Sequence, residues 1–218
     1  MKAIGNIYLT WRTGRGSSRF PVGTIKKSAT GGVRFQYNKE VVAKAQVHGF
    51  VPYEGFPDLD KVYTENVIDI FGQRLIRNER NDVQDFYKFW GIDLSYKEDK
   101  FYMLAYTQGL LPTDNYEFLA DFNPIKGLGF ITEITGLSHH KIPSDTIKIG
   151  DRLQYQIDTK NEFDKNAVKV LTQGIILGYI KTIHCRIFSK TKRPFNLTVH
   201  GIEKNGVLNR VFLKVDTF

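Results

Sequence analysis

Apolar and polar positions alternate at the start of the chain. In IGNIYLTWR they exchange at nearly every residue, the period of a strand with one buried face. VGTIKK and VRFQYNKE continue the pattern. Between these runs, RTGRGSSRFP reads as a flexible loop and SATGGV as a hairpin turn. The period then changes. In YTENVIDIFGQRLIRNERN, Val67, Phe71 and Leu75 recur every four residues, as one buried helix face requires. Thr64 can cap that helix, with Glu65 in its first turn. Asn81 can cap a second helix with Val83, Phe86, Tyr87 and Trp90 on one side. KFYMLAYTQG predicts a third, stopped by Gly109.

FNPIKGLG breaks the helical pattern with proline and glycine, and places a domain boundary at Asn123–Gly127. The chain then reads as an α+β module over residues 1–123 and a second domain over 127–218. Past the break, FITEITG, DRLQYQID, AVKVLT, GIILGYIK, PFNLTVHGIEK and LNRVFLKV are short strand candidates separated by Gly and Asn turns. That spacing predicts a small β-barrel or sandwich, with a short helix around TIHCRIF.

Composition adds limits. With 218 residues the chain holds one or two domains, and 41% hydrophobic against 25% charged residues suits a globular protein. The one cysteine, Cys185, excludes an intrachain disulfide and a cysteine-based zinc cage. No apolar run approaches the ~18 residues of a membrane span. The first residues lack the apolar core and cleavage site of a signal peptide, so a cytoplasmic location is expected. The net charge of +8 is unevenly spread. Residues 1–39 carry eight Lys/Arg and no acid, residues 40–124 carry eight basic and fifteen acidic groups, and residues 125–218 carry fifteen and eight. Two basic zones therefore bracket an acidic one. Such zones are either a footprint for polyanions or merely solvated faces.

The densest candidate chemistry lies in DTKNEFDKNAVKVLTQGIILGYI, residues 158–180. Asn161, Asp164 and Asn166 surround Phe163 between two apolar strands. Asn and Asp bond their own backbone in tight bends, so the cluster is either turn chemistry with Phe163 in the core, or a pocket. Downstream, IKTIHCRIFSKTKRP carries Lys181, Arg186, Lys190, Lys192 and Arg193 without an acid, a phosphate-tracking strip or a solvated loop. His139 and His140, with His184 or Cys185, raise a metal reading. Adjacent residues on a strand point to opposite faces, so both would not ligate one ion; no metal or cofactor is expected. H-E-x-x-H, G-x-S-x-G and P-loop motifs are missing, GRG at residues 14–16 is too little to bind a nucleotide, and no carboxylate cluster suits a nuclease. No enzymatic activity is expected.

Residues from about 128 to 215 resemble a HIRAN domain. The resemblance is carried by GLSHHK, IKIGDRLQYQIDTKNEFDKNAVKVL and IILGYIK. It implies an OB-like barrel of the kind found in DNA-repair and chromatin-remodelling proteins and in free-standing bacterial ones, with binding of single-stranded DNA or DNA 3′ ends. On that resemblance Asp164 accepts a hydrogen bond from a 3′ hydroxyl, Asn161 meets sugar or base and Phe163 stacks on a base. Tyr179 stands where the family has His or Tyr near the phosphate, and Lys181 follows. The chain departs from the family in having Ser138, His139, His140 and Lys141 in place of an arginine and two aromatics. Imidazole can still stack or meet a phosphate. More loosely, residues 20–120 resemble the non-kinase N-terminal region of HipA-type toxin kinases, through VGTIKKSATGGVRFQYNKEVV, FVPYEGFPDL, IFGQRLI and LLPTDNYEFL. The chain is thus expected to be a non-enzymatic nucleic-acid-binding protein. The alternatives are a module docking a protein partner through the acidic helices of residues 54–121, and a metal-dependent nuclease or an accessory to one.

Overall fold

Alternation does build the first sheet. Residues 3–14, 16–30 and 32–217 are described in a computed structural model. Arg15 of the expected loop and Gly31 of the expected hairpin turn lie outside the described residues. β1 (Ile4–Trp11), β2 (Phe20–Lys27) and β3 (Val33–Tyr37) run antiparallel, with Ile7 opposite Ile25 and Gly23 opposite Tyr37. β4 (Tyr116–Phe122), which the sequence pattern does not mark as a strand, completes the order β3-β2-β1-β4. The chain divides into two units between Asp121 and Phe122, with Ala3 grouped with the second.

The helices of the first unit differ from expectation at their ends. The apparent strand VRFQYNKE stops at Tyr37, because the Asn38 carboxamide accepts a hydrogen bond from Val41 N–H and starts α1 (Lys39–Gln46). α2 (Val67–Gly72) begins after Asn66, which is left-handed at φ 53, not after Thr64, and it ends before Leu75. α3 (Val83–Trp90) follows Asp82 rather than Asn81. α4 (Lys100–Thr107) starts where the Asp99 carboxylate accepts from Phe101 and Tyr102 N–H. Phe35 anchors the core, with ring centroids 4.7–6.2 Å from Tyr37, Phe56, Phe71 and Tyr63. Gly23 makes room for it: a Cβ there would lie 2.4 Å from the Phe35 ring.

Four cations of the basic N-terminal zone are paired with acids of this unit. Glu117 is buried between Arg12, at 3.0 Å, and Arg19, at 3.0 Å. Lys27 meets Asp99 at 3.0 Å and Lys39 pairs with Asp60. Arg74, also buried, donates to Gly109 C=O at 2.8 Å and to Asp114 Oδ1 at 2.8 Å, over the faces of Tyr53 and Phe118. By sequence, Ile4–Asp121 holds fifteen basic and fifteen acidic residues, so the first unit is neutral and the whole surplus of +8 belongs to the second.

The second unit is a closed barrel in the order β10-β5-β8-β7-β6-β9. Its strands are β5 (Gly129–Thr135), β6 (Arg152–Ile157), β7 (Val168–Thr172), β8 (Ile175–Ile180), β9 (Asn196–Asn205) and β10 (Val207–Asp216). The fold class is mixed α/β with an OB-like barrel, as expected. Val168, Val170, Leu177, Val199, Val211, Leu213 and Val215 are buried. A one-turn helix, α5 (Leu137–His140), follows β5, and a 3₁₀ segment, His184–Ser189, follows β8. No helix among the described residues is long and apolar enough to cross a membrane.

Closure depends on Gly178. Its φ is 152, and a Cβ there would lie 2.2 Å from the Thr135 carbonyl oxygen, a backbone atom that cannot swing away. Gly174, in the β7–β8 turn at φ 82, would place a Cβ in open space, with nothing within 4 Å. Gly178→Ala is expected to cost more than about 2 kcal/mol of stability and Gly174→Ala about 1 kcal/mol, read by urea denaturation.

Candidate nucleic-acid interface

The polar corner between β6 and β7 is an ordered turn. Asn161 Oδ1 accepts from Phe163 N–H at 3.0 Å and Asp164 N–H at 2.9 Å. Asp164 Oδ1 accepts from Asn166 N–H at 2.8 Å. These bonds fix the turn's own backbone. Within it, Phe163 is 97% exposed, which overturns the reading of a core ring. A large apolar ring held clear of the protein on a tied-down turn is a ready stacking surface.

The other oxygen of Asp164 faces the protein. Cys185 Sγ donates to Asp164 Oδ2 at 3.5 Å, and Ser189 Oγ donates to Asn166 Oδ1 at 3.4 Å. These two bonds dock the corner onto the 3₁₀ segment. Asp164 Oδ1 therefore caps its own turn, as the turn-chemistry alternative has it. Burial, reinforced by the Asp164 carboxylate, pushes the Cys185 thiol up to about 12.

A second cluster supports the corner from the strands. Tyr179 O–H donates to Asp158 Oδ2 at 3.1 Å, and Lys169 Nζ reaches the same oxygen at 3.1 Å. Lys169 stands opposite Tyr179 on β8 and opposite Gln156 on β6, so the three share one face of the wall. The Lys169 ammonium holds Asp158 below the usual carboxylate range despite partial desolvation, with help from Tyr179. Desolvation, followed by Asp158, raises the Tyr179 phenol. The sequence pattern does not single out Asp158 or Lys169. Asp158 opens the motif stretch, but only strand register reveals that Lys169 faces Tyr179.

The expected cations divide. Lys181 is completely buried and pairs with Glu133 Oε2 at 3.0 Å, while Arg210 Nε donates to Glu133 Oε1 at 2.9 Å. A buried, paired ammonium cannot track a phosphate, so Lys181 leaves the interface and joins the barrel wall. Lys190 Nζ donates to Phe122 C=O at 2.8 Å and to Asn123 Oδ1 at 3.2 Å, which ties it to the chain entering the barrel. Arg186 is half-buried, and Lys192 and Arg193 are exposed just beyond the 3₁₀ segment. His139, His140 and Lys141 are exposed too. His139 and His140 belong to α5, which packs on β8 and β10, so they lie on a helical turn rather than a strand. His184 is buried, its Nδ1 2.9 Å from Thr132 Oγ1 and its ring against Phe122 and Phe130. Among the described residues no three His, Cys, Asp or Glu side chains group in a way that could hold a metal ion.

A closed six-stranded barrel with a polar corner over a 3₁₀ segment defines an OB-like barrel module. Residues 129–211 match the HIRAN domain family. Among solved structures the chain is similar to the HIRAN domain of human HLTF, with 18% identity and a TM-score of 0.33, covering 41% of this chain and 75% of that one. It is similar also to a protein from Lactobacillus plantarum, with 16% identity and a TM-score of 0.33, covering 43% of this chain and 96% of that one. No curated protein matches the chain.

Burial of Lys181 and Cys185 makes both measurable. Lys181→Ala leaves a carboxylate short of one partner in the barrel wall, so it is expected to lower stability by about 3 kcal/mol in chemical denaturation. For Cys185 the folded pKa is raised, so the native state holds its proton more tightly than the unfolded chain. That contribution is intact below the unfolded value of about 8.5 and is lost as pH rises toward about 12. Melting temperature is expected to fall above about pH 9, and Cys185→Ala to flatten the decline.

Proposed function

We propose that the second unit binds single-stranded nucleic acid at the Asn161–Asn166 corner, without catalysing its cleavage. The observation that carries this reading is Phe163, 97% exposed on a turn whose backbone is fixed by Asn161 and Asp164. A base stacks on that ring, an interaction worth about 1–3 kcal/mol in such sites. Asn161 and Tyr179 supply polar groups beside it. Lys192 and Arg193 past the 3₁₀ segment, and Lys141 with His139 and His140 on α5, face the phosphates. The surplus of +8 carried by this unit supports the same partner. Charge gives no comparable support to a protein partner docked on the acidic helices, whose unit is neutral as a whole.

The reading extends to strand ends. Asp164 Oδ1 and Oδ2 each accept one hydrogen bond within the protein, and a carboxylate has about four acceptor sites. The remaining lone pairs suit a 3′ hydroxyl and repel a 3′ phosphate.

Fluorescence anisotropy with labelled single-stranded DNA tests both levels. Affinity is expected to fall steeply as salt rises, and Phe163→Ala to weaken binding about tenfold for 3′-OH and 3′-phosphate oligonucleotides alike, with melting temperature unchanged. Asp164→Asn is expected to reduce the preference for 3′-OH over 3′-phosphate about tenfold, the loss of one charge-assisted hydrogen bond. No binding at low salt would remove the proposal. Equal end preference in wild type and Asp164→Asn would remove only the end-recognition part.

A further inference from the structure

The outer face of β6 leads away from the corner as a row of exposed polar side chains. Arg152, Gln154 and Gln156 are exposed, while Leu153 between them is buried. Side chains two apart on a strand share a face and stand about 7 Å from one another. The row starts at the corner, where Asp158 follows the strand and its carbonyl accepts from Asn161 N–H at 3.1 Å. At its far end Arg152 stands opposite Thr198, and Thr198 opposite Lys214, so the row turns across β9 to β10 on the same face. From Asp158 to Arg152 the face spans about 20 Å.

We infer that this face is a second contact track, along which a single strand anchored at Phe163 continues for several nucleotides. The inference rests on the proposed nucleic-acid reading of the corner. Its chemistry differs from that of the corner. Gln154 and Gln156 each offer two donors and an acceptor to base edges, and Arg152 offers a fork to a phosphate. The row carries no carboxylate between Asp158 and Arg152, and it lies on the unit that holds the surplus positive charge. A strand fixed only by the corner and the basic segment after it would gain nothing from length in this direction. A strand lying on β6 gains contacts with each added nucleotide, up to a site within the roughly 4–16 nucleotides that single barrels of this kind cover.

The test compares oligothymidines of about three and about ten nucleotides, binding to wild type, to an Arg152→Ala/Gln154→Ala/Gln156→Ala variant and to Phe163→Ala. Wild type is expected to bind the longer strand at least about tenfold tighter. The triple variant is expected to lose most of that gain while binding the short strand within about twofold of wild type. Arg152→Ala alone is expected to lower the salt slope on the longer strand by about one. Phe163→Ala should weaken both lengths. Equal wild-type affinity for the two lengths, or equal losses on both in the triple variant, overturns the track and leaves the corner standing. No binding of either length overturns both. All three β6 side chains are exposed, so an unchanged melting temperature is expected. If the triple variant unfolds, Arg152→Glu alone decides through the length dependence.

Discussion

The second unit depends on one close approach, the backbone of Gly178 against the Thr135 carbonyl. It pins β8 to β5 with Ile180 opposite Ile134 and Tyr179 opposite Thr135. A strand slip of one residue would exchange its two faces. A register shift opposite Leu177 breaks the alternation of β8, so Leu177 is buried in the barrel while Tyr179 shares a face with Lys169 and Gln156. The same register brings Lys181 to Glu133. The positions of Tyr179 and Lys181 therefore follow from a packing constraint that only glycine satisfies.

The corner combines turn chemistry with an exposed aromatic ring. Its amide and carboxylate oxygens are engaged by backbone N–H groups, the ordinary work of Asn and Asp in bends. Those bonds are what hold an apolar ring in solvent. Exposing a ring of that size opposes the hydrophobic effect, and the Asn161 and Asp164 bonds fix the backbone that carries it. Turn chemistry here is the means by which a stacking surface is presented, so the two readings of the stretch are not rivals.

Much of this is legible in the sequence. β1 to β3, the existence of α2 to α4 and the barrel strands follow from periodicity and turn residues. The corner follows from its Asn and Asp spacing. What escapes is set by contacts distant in sequence or by local bonds that override the pattern. VRFQYNKE alternates and so extends β3 on paper, but the Asn38 cap outweighs that alternation and starts α1. α5 hides in four residues, too few to show a period. Lys181 looks like one of a run of cations, and its burial depends on Glu133, 48 positions earlier in the chain. Asp158 and Lys169 acquire meaning only through the pairing of β6, β7 and β8.

Charge shows most clearly how a linear pattern misleads and then informs. Read along the chain, the first 39 residues look as basic as the last 94. In the folded protein the two zones have opposite fates. Arg12 and Arg19 are drawn to Glu117, and a buried carboxylate with two guanidiniums is neutralised locally and contributes little long-range field. The second unit also pairs some of its cations, Lys181 and Arg210 on Glu133 and Lys169 on Asp158. Its surplus is nevertheless far larger than those acids can match, so the unmatched positive charge stays at its surface, where salt screens it and an incoming polyanion displaces that salt. Neutrality in one unit thereby concentrates the chain's electrostatic attraction on the unit that also exposes Phe163.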